Sequence, residues 1–282
     1  MAKSTKSSEG TGTGSLPSFL PGWAPGALWG IALGTIAAGL VVWVPRLVER
    51  TAAAPLPSPV RVVLKDEPRW LPKDERSAIE RSVVKSIAAS PFDRDGLAAA
   101  RDAVARSGWM TSVAQVRRSD VDEVIVEGTW AVPFALVCDG DGEHLVDARG
   151  RLLPRSYPAG KGPRLLRIKG VAASRPAEFG GTWRSDEVSA ALAMIASVID
   201  RPWRWQIAAV DMSGWSSDGL LRLQSDRGCA IVWGCAPGKE SAAEVPAMQK
   251  VAALQAAFDR TGHIDGGARE ALDLRGDVIV GH

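Results

Sequence analysis

The chain has 282 residues, with 34 Lys and Arg against 32 Asp and Glu, so its formal net charge is only +2. This near balance argues against a nucleic-acid-binding protein, which usually concentrates a basic excess on one face. Hydrophobic residues make up 46% and charged residues 23% of the chain, ordinary values for one or two globular domains. Three cysteines are too few, and odd in number, for a scaffold held together by disulfides.

The first part of the chain differs from this average. Residues 1–22 are rich in Ser, Thr, Gly and Lys and predict a disordered tail, which the resemblance described below places in the cytoplasm. No charged residue occurs from Gly10 to Pro45. As a helix, the stretch from Ala27 to Val44 would span about 27 Å, close to the roughly 30 Å hydrocarbon core of a bilayer. We therefore predict one transmembrane helix at 23–45, with a cleaved signal peptide and a buried soluble helix as alternatives.

A Pro- and Ala-rich linker is predicted at 46–59, and a folded domain at 60–130. Hydrophobic periodicity in that domain predicts the order β-α-α-β-β, a three-stranded sheet with two helices on one face. The predicted elements are a strand at Val60–Lys65, helices at Asp74–Ala89 and Asp93–Gly108, and strands at Val113–Arg118 and Glu123–Thr129.

Residues 131–282 are predicted to form a mostly antiparallel β domain with flanking helices. The predicted strands are Val132–Cys138, Glu143–Val146, Leu165–Ile168, Trp205–Met212, Gly219–Gln224, Cys229–Trp233 and Leu272–Val280, and the helices are Asp186–Ile199, capped by Ser185, and Val245–Phe258. The predicted fold class is therefore α+β, with a single N-terminal transmembrane helix followed by these two domains.

The sequence offers little catalytic or metal-binding chemistry. His144, His263 and His282 lie in separate elements, none at metal-ligand spacing from a Cys or carboxylate. A calcium loop starting at Asp139 would need an acidic residue where Gly150 stands. No Ser/His/Asp set stands out, so we expect neither an enzyme nor a cofactor.

The cysteine spacing also argues against a disulfide. Cys229 and Cys235 flank a predicted strand, which would hold them about 20 Å apart. A disulfide needs Cα atoms within about 7 Å, so we expect free thiols.

Several residue strings, taken in order, resemble one family. They are Ser107–Met110, Val113–Arg118, Val124–Glu127, Leu145–Pro154, Lys250–Leu254 and Leu272–Arg275. Together they resemble the FtsQ/DivIB bacterial cell-division family, over about Val60 to Val280. That resemblance implies a POTRA domain at 60–130 and a β domain at 131–282.

The resemblance also implies a function. It predicts a bitopic scaffold of the divisome at the cell inner membrane and division septum, with a cytoplasmic N-terminus and periplasmic C-terminal domains. Its partners would be FtsB/FtsL-like bitopic division proteins and, beyond them, FtsW/FtsI-like synthases of septal peptidoglycan. The charges flanking 23–45 do not fix this orientation, which comes from the resemblance alone.

Partner contact is predicted along the final strand. A strand at a sheet edge offers unpaired N–H and C=O groups to a partner strand. The predicted contact residues are Leu272, Asp273, Leu274, Arg275, Gly276, Val278, Ile279 and Val280. Arg117 and Arg118 form a second candidate surface, for an acidic partner. The alternatives are a purely structural closing strand and a solvated strand end.

Two other functions remain open. A POTRA-bearing adaptor of envelope assembly or secretion would share the domain, although such proteins usually carry repeated POTRA units or a barrel. A membrane-anchored hydrolase would require His144 or His263 to lie beside Ser and Asp.

Overall fold

The computed structural model describes residues 60–87, 93–268, 271–276 and 280–281. Every described residue belongs to one compact unit, Leu56–His282.

The predicted fold class is wrong in its membrane helix. Among the described residues, no helix is long and apolar enough to cross a membrane. The longest, Ala247–Thr261, has 15 residues and a length of about 22 Å, short of a roughly 30 Å hydrocarbon core. The predicted helix at 23–45, the tail at 1–22 and the linker at 46–59 lie outside the described residues. The residues that are described form an α+β fold.

Residues 61–130 form a small three-stranded sheet with two helices. The elements are β1 (Arg61–Leu64), α1 (Lys73–Ser86), α2 (Arg94–Arg106), β2 (Met110–Asp120) and β3 (Glu123–Trp130). The strand order is β1-β3-β2, with β1 parallel and β2 antiparallel to the central β3. This arrangement makes β2, with 11 residues, an outer strand of the sheet.

The remaining described residues form a mixed sheet of nine strands. Its elements are β4 (Ala135–Asp139), β5 (Gly142–Val146), β6 (Leu152–Tyr157), β7 (Leu166–Lys169), α3 (Asp186–Val198), a 3₁₀ helix (Pro202–Gln206), β8 (Ile207–Asp211), the short α4 (Trp215–Asp218), β9 (Leu221–Ser225), β10 (Ala230–Gly234), α5 (Ala247–Thr261), β11 (Ala271–Asp273) and β12 (Val280–Gly281). The order is β12-β11-β10-β9-β8-β7-β4-β5-β6. The pairs β4/β7, β7/β8 and β10/β11 are parallel, and the other five are antiparallel.

Helical spacing explains how the helices cover their sheets. In α1 the buried residues are Ile79 and Val83, four apart, and in α2 they include Ala100 and Val104 at the same spacing. Residues four apart lie on one face of a helix, so each helix turns one apolar stripe to the small sheet. In the larger sheet, α3 is mostly buried, and it contacts α5 within one apolar core.

The strands β4, β5 and β6 belong to two cores at once, because successive side chains of a strand point to opposite faces. In β4, Ala135 and Val137 join the core under α3, whereas Leu136 joins the core of the small sheet. Leu145 of β5 and Leu153 of β6 also join the core of the small sheet. One end of the large sheet is thus covered by a helix on one face and by the small sheet on the other.

Candidate partner-binding site

The predicted final strand Leu272–Val280 is wrong as a single strand. The structure has two short strands there: β11 pairs parallel with β10, and β12 returns antiparallel to β11. The chain turns after Leu274, whose N–H still bonds the carbonyl of Val232. The N–H of Arg275 instead bonds Asp273 Oδ1 at 2.9 Å, and its carbonyl accepts from the N–H of Val245 at 3.0 Å. Both backbone groups of Arg275 are used outside the ladder, so the strand stops there.

The eight predicted contact residues have different surroundings. Leu272 and Leu274 are buried in the large core, at 5% and 2% exposed. Asp273 is half-buried, and Arg275 and Gly276 are exposed. Val280 lies in β12. Val278 and Ile279 lie outside the described residues.

The sheet edge at this end is formed by β12. In the part of the chain that the structure describes, β11 has a neighbour on each side, and β12 is the last strand in the order. The backbone of Ala271–Asp273 is therefore already paired on both flanks. A partner strand at this end must pair outside β12 or replace it.

An ion pair marks the surface beside this edge. Arg275 Nη2 lies 2.7 Å from Asp273 Oδ2. The hydrogen bond from Arg275, opposed by burial, lowers the pKa of Asp273 below its ordinary value. Both side chains line a cavity of about 340 Å³ that also contacts Glu244 and Cys235.

A buried lysine holds the start of α5 against this region. Lys250 has no exposed surface, pairs with Glu244 and lies 5.3 Å from the centroid of the Trp233 ring. Glu244 also accepts the N–H of Cys235 at 2.8 Å. Burial would raise the pKa of Glu244, but the hydrogen bonds from Lys250 and Cys235 bring it below its ordinary value. The pKa of the Cys235 thiol is raised by its hydrogen bond to Glu244 and by burial.

The second candidate surface does not form a single basic patch. Arg117 and Arg118 are neighbours on β2, so their side chains leave opposite faces of the strand. Arg117 reaches Glu127 at 3.3 Å, and Arg118 Nη1 donates to the carbonyl of Val121 at 2.8 Å. The strand that carries both arginines, β2, is an outer strand of the small sheet.

The structure brings together a Ser, a His and an Asp that the sequence reading did not connect. His144 Nδ1 lies 2.7 Å from Ser156 Oγ, and Nε2 lies 2.9 Å from Asp139 Oδ1. The β5/β6 register pairs His144 with Ser156, and β6 was absent from the predicted elements, which is why sequence reasoning missed the contact.

Arg175 also contacts the imidazole ring of this group. Its Nη1 lies 2.7 Å from His144 Nε2, and a guanidinium can only donate. The same Nε2 lies 2.9 Å from Asp139 Oδ1, a carboxylate oxygen that accepts, so its two neighbours call for opposite roles and these contacts do not fix the tautomer. Asp139 also accepts the N–H groups of Asp141 and Gly142, as a turn residue does. These hydrogen bonds stabilise the β4–β5 hairpin.

The other candidate centres give no ligand set. Cys138, Cys229 and Cys235 are free thiols. Within the described ranges, no group of three or more His, Cys, Asp or Glu side chains is placed to hold a metal ion.

The described residues thus form an α+β protein with two open sheets, and β2 and β12 are outer strands of these sheets. No protein-family model matches the chain, and no curated protein is significantly similar to it. The resemblance to the FtsQ/DivIB family stays a prediction from the ordered residue strings.

Proposed function

We propose that the chain is a scaffold of the bacterial divisome, resembling FtsQ/DivIB proteins. It would act at the cell inner membrane and division septum, linking cytoplasmic-side assembly to periplasmic septal peptidoglycan synthesis. It would hold FtsB/FtsL-like partners, and through them FtsW/FtsI-like synthases, by pairing backbone groups along open strand edges. The observation that supports this most directly is the two-residue β12 as the outer strand beside the ion pair of the half-buried Asp273 with the exposed Arg275.

The energetics of the edge favour a longer partner strand. Among the described residues, two residue pairs hold β12 to β11. At a net of about 0.5–1.5 kcal/mol for each backbone hydrogen bond, such a short ladder stabilises the edge by only a few kcal/mol. A partner strand of several residues would make more bonds, but association and ordering have a large free-energy cost. Side-chain contacts must therefore add to the pairing, and Arg275 and the exposed face of α5 are the candidates.

A POTRA-bearing adaptor of envelope assembly or secretion is the second candidate function. The observation that favours it is β2, an 11-residue outer strand that offers a much longer edge than β12 does. Such an adaptor would bind its client through β2 and would not depend on the C-terminal edge.

Pull-down with the FtsB/FtsL-like proteins of the same bacterium tests the proposal. The key variant ends after Gly276, which removes β12 but keeps the buried Leu272 and Leu274. We expect this variant to lose partner retention while its far-UV circular dichroism stays that of the intact chain. Arg149→Glu, a change at an exposed site remote in sequence, is the matched control and should retain the partner.

Two outcomes would refute the proposal. Partner retention by the truncated variant equal to that of the intact chain would refute the edge contact. A fluorescent fusion spread uniformly, rather than concentrated at midcell, would refute the divisome assignment.

A further inference from the structure

We propose that the groove between the two sheets docks an acidic segment of a partner protein, which inserts one large apolar side chain. This inference goes beyond the proposed function, because it concerns a different surface and does not depend on the C-terminal edge. It is carried by an apolar cavity, by Arg164 in the lining of that cavity, and by Arg204, which contacts the same Trp205 ring as Arg164; neither arginine has an acidic partner in the described residues.

The cavity has a volume of about 290 Å³ and lies between the two sheets. Trp70, in the loop before α1, and Trp109, just before β2, line it on one side, and Leu145 of β5 and Tyr157 of β6 line it on the other. The two indole rings lie 5.9 Å apart at 43°, and the N–H of Trp109 is already bonded to Glu75 at 3.0 Å. The indole of Trp109 therefore keeps no free N–H to offer a polar ligand, and this wall presents an apolar ring surface.

The mouth of the cavity exposes large apolar side chains to water. Trp70 is 38% exposed and Val132 is 60% exposed, and both line the cavity. Adjacent exposed apolar groups around a concave site are typical of surfaces that bind another molecule.

Positive charge without an acidic partner in the described residues lies in the cavity lining and beside it. The guanidinium of Arg164, which lines the cavity, lies 4.7 Å from the centroid of the Trp205 ring, and that of Arg204 lies 4.3 Å from the same centroid. Neither arginine forms an ion pair in the described part of the chain, and Arg204 Nε is buried without a hydrogen-bond partner there. Arg155 differs, since it pairs with Asp74.

Size and charge together indicate the occupant. A volume of about 290 Å³ is at the small end for pockets that take a whole small molecule, but it suits one anchoring side chain of a protein segment. The two cations that share Trp205 favour a carboxylate beside that anchor, because complementary charge at a rim speeds association and selects the partner. A free anion would use only the arginines, and an uncharged apolar ligand only the cavity.

Selection of peptides from a random display library, followed by anisotropy titration of the selected peptides, tests this inference on the intact chain. We expect the selected peptides to combine one large aliphatic or aromatic residue with neighbouring Asp or Glu. Val132→Glu and Arg164→Glu should each weaken binding about tenfold or more, the loss typical of an interface anchor. Arg164→Lys keeps the charge and should lose less, and Arg149→Glu should bind as the unchanged protein does.

Each other outcome would overturn the inference. Selected peptides without an acidic bias would indicate a purely apolar site, and peptides that bind equally well without the apolar residue would indicate an anion site. Binding that survives both Val132→Glu and Arg164→Glu would place the peptide elsewhere. Val132 is exposed, so Val132→Glu should fold normally, and an unchanged melting temperature checks this. The variant ending after Gly276 should still bind the peptides, which separates this inference from the proposed function.

Discussion

Lys250 is the most deeply buried charged side chain among the residues described, and its surroundings explain how it is tolerated. Removing an ion from water is costly unless a partner of opposite charge and further hydrogen bonds compensate. Glu244 supplies the charge, and the face of the Trp233 ring supplies a second favourable contact. The residue therefore fixes the start of α5 to the loop that precedes it, and the N–H of Val245 in that loop bonds the carbonyl of Arg275 beside the C-terminal edge.

Replacing Lys250 should be strongly destabilising because it leaves the buried carboxylate of Glu244 without its partner of opposite charge. We expect Lys250→Ala to lower the free energy of unfolding by about 3–5 kcal/mol, as breaking a buried pair does. The double variant Lys250→Met with Glu244→Gln should recover much of that loss. Urea denaturation measures both, with the exposed Lys239→Met as control, expected within about 0.5 kcal/mol of the unchanged protein. A double variant no more stable than Lys250→Ala would contradict this account.

At the scale of elements, capping chemistry explains why helix starts were readable from sequence. The sequence predicted a helix beginning at Asp186 with Ser185 as its cap, and both are confirmed: α3 begins there, and Ser185 Oγ accepts the N–H of Val188 at 3.4 Å. Asp93 likewise caps α2, accepting the N–H of Gly96 at 2.8 Å. These signals are local, so they need no knowledge of the rest of the fold.

Asp93→Ala should weaken α2 because it removes the acceptor for an otherwise unpaired N–H group. We expect a loss of about 1 kcal/mol in the free energy of unfolding, measured by urea denaturation. Asp93→Asn keeps a capping oxygen and should remain close to the unchanged protein. Equal losses in the two variants would show that charge, not capping, is the cause.

The final strand shows where local pattern fails. Leu272 and Leu274 were predicted to face the core, and both are buried. The same alternation continues in the sequence through Gly276 to Val278 and Val280. The register instead places Val280 opposite Asp273, so the alternation of the sequence does not carry over from β11 to β12. Period-two alternation cannot distinguish one long strand from two short ones. β11 stops because the N–H of Arg275 bonds the side chain of Asp273 and the carbonyl of Arg275 bonds the N–H of Val245, which is distant in sequence. Alternation carries no information about either bond.

At the scale of the whole described fold, long-range pairing was the least predictable feature. The parallel pairs β4/β7, β7/β8 and β10/β11 join segments well separated in sequence, and no local signal specifies them. The positive charge at the candidate groove is similar: Arg164 and Arg204 reach one Trp205 ring from separate segments. Residue type could suggest these arginines as binding residues, but only the fold brings them together.

Buried carboxylates should make the whole fold sensitive to acid. Glu143 is 3% exposed and accepts hydrogen bonds from Arg167 and from the N–H groups of Gly160 and Gly162. Burial would raise its pKa, but these bonds bring the pKa below its ordinary value, as happens for Glu244. A carboxyl group with a lowered pKa in the folded state stabilises the fold above its unfolded pKa and loses that contribution as pH falls.

We therefore expect the free energy of unfolding to fall as the pH is lowered from about 6 to about 3, through the ordinary Glu pKa of about 4.3. Glu143→Gln should be less stable at about pH 6 and should show a shallower dependence on pH, measured by urea denaturation at each pH. Identical pH dependence in the two proteins would exclude Glu143 as a contributor.

The two-faced packing of β4, β5 and β6 has a practical consequence for anyone dividing this protein into modules. Leu136, Leu145 and Leu153 complete the interior beneath Trp109, although they belong to the other sheet. A fragment ending near residue 131 would leave that interior open to solvent, and we expect such an excised piece to aggregate or stay loosely ordered. Cutting the chain between the small sheet and the large sheet would thus expose apolar side chains of both fragments to solvent.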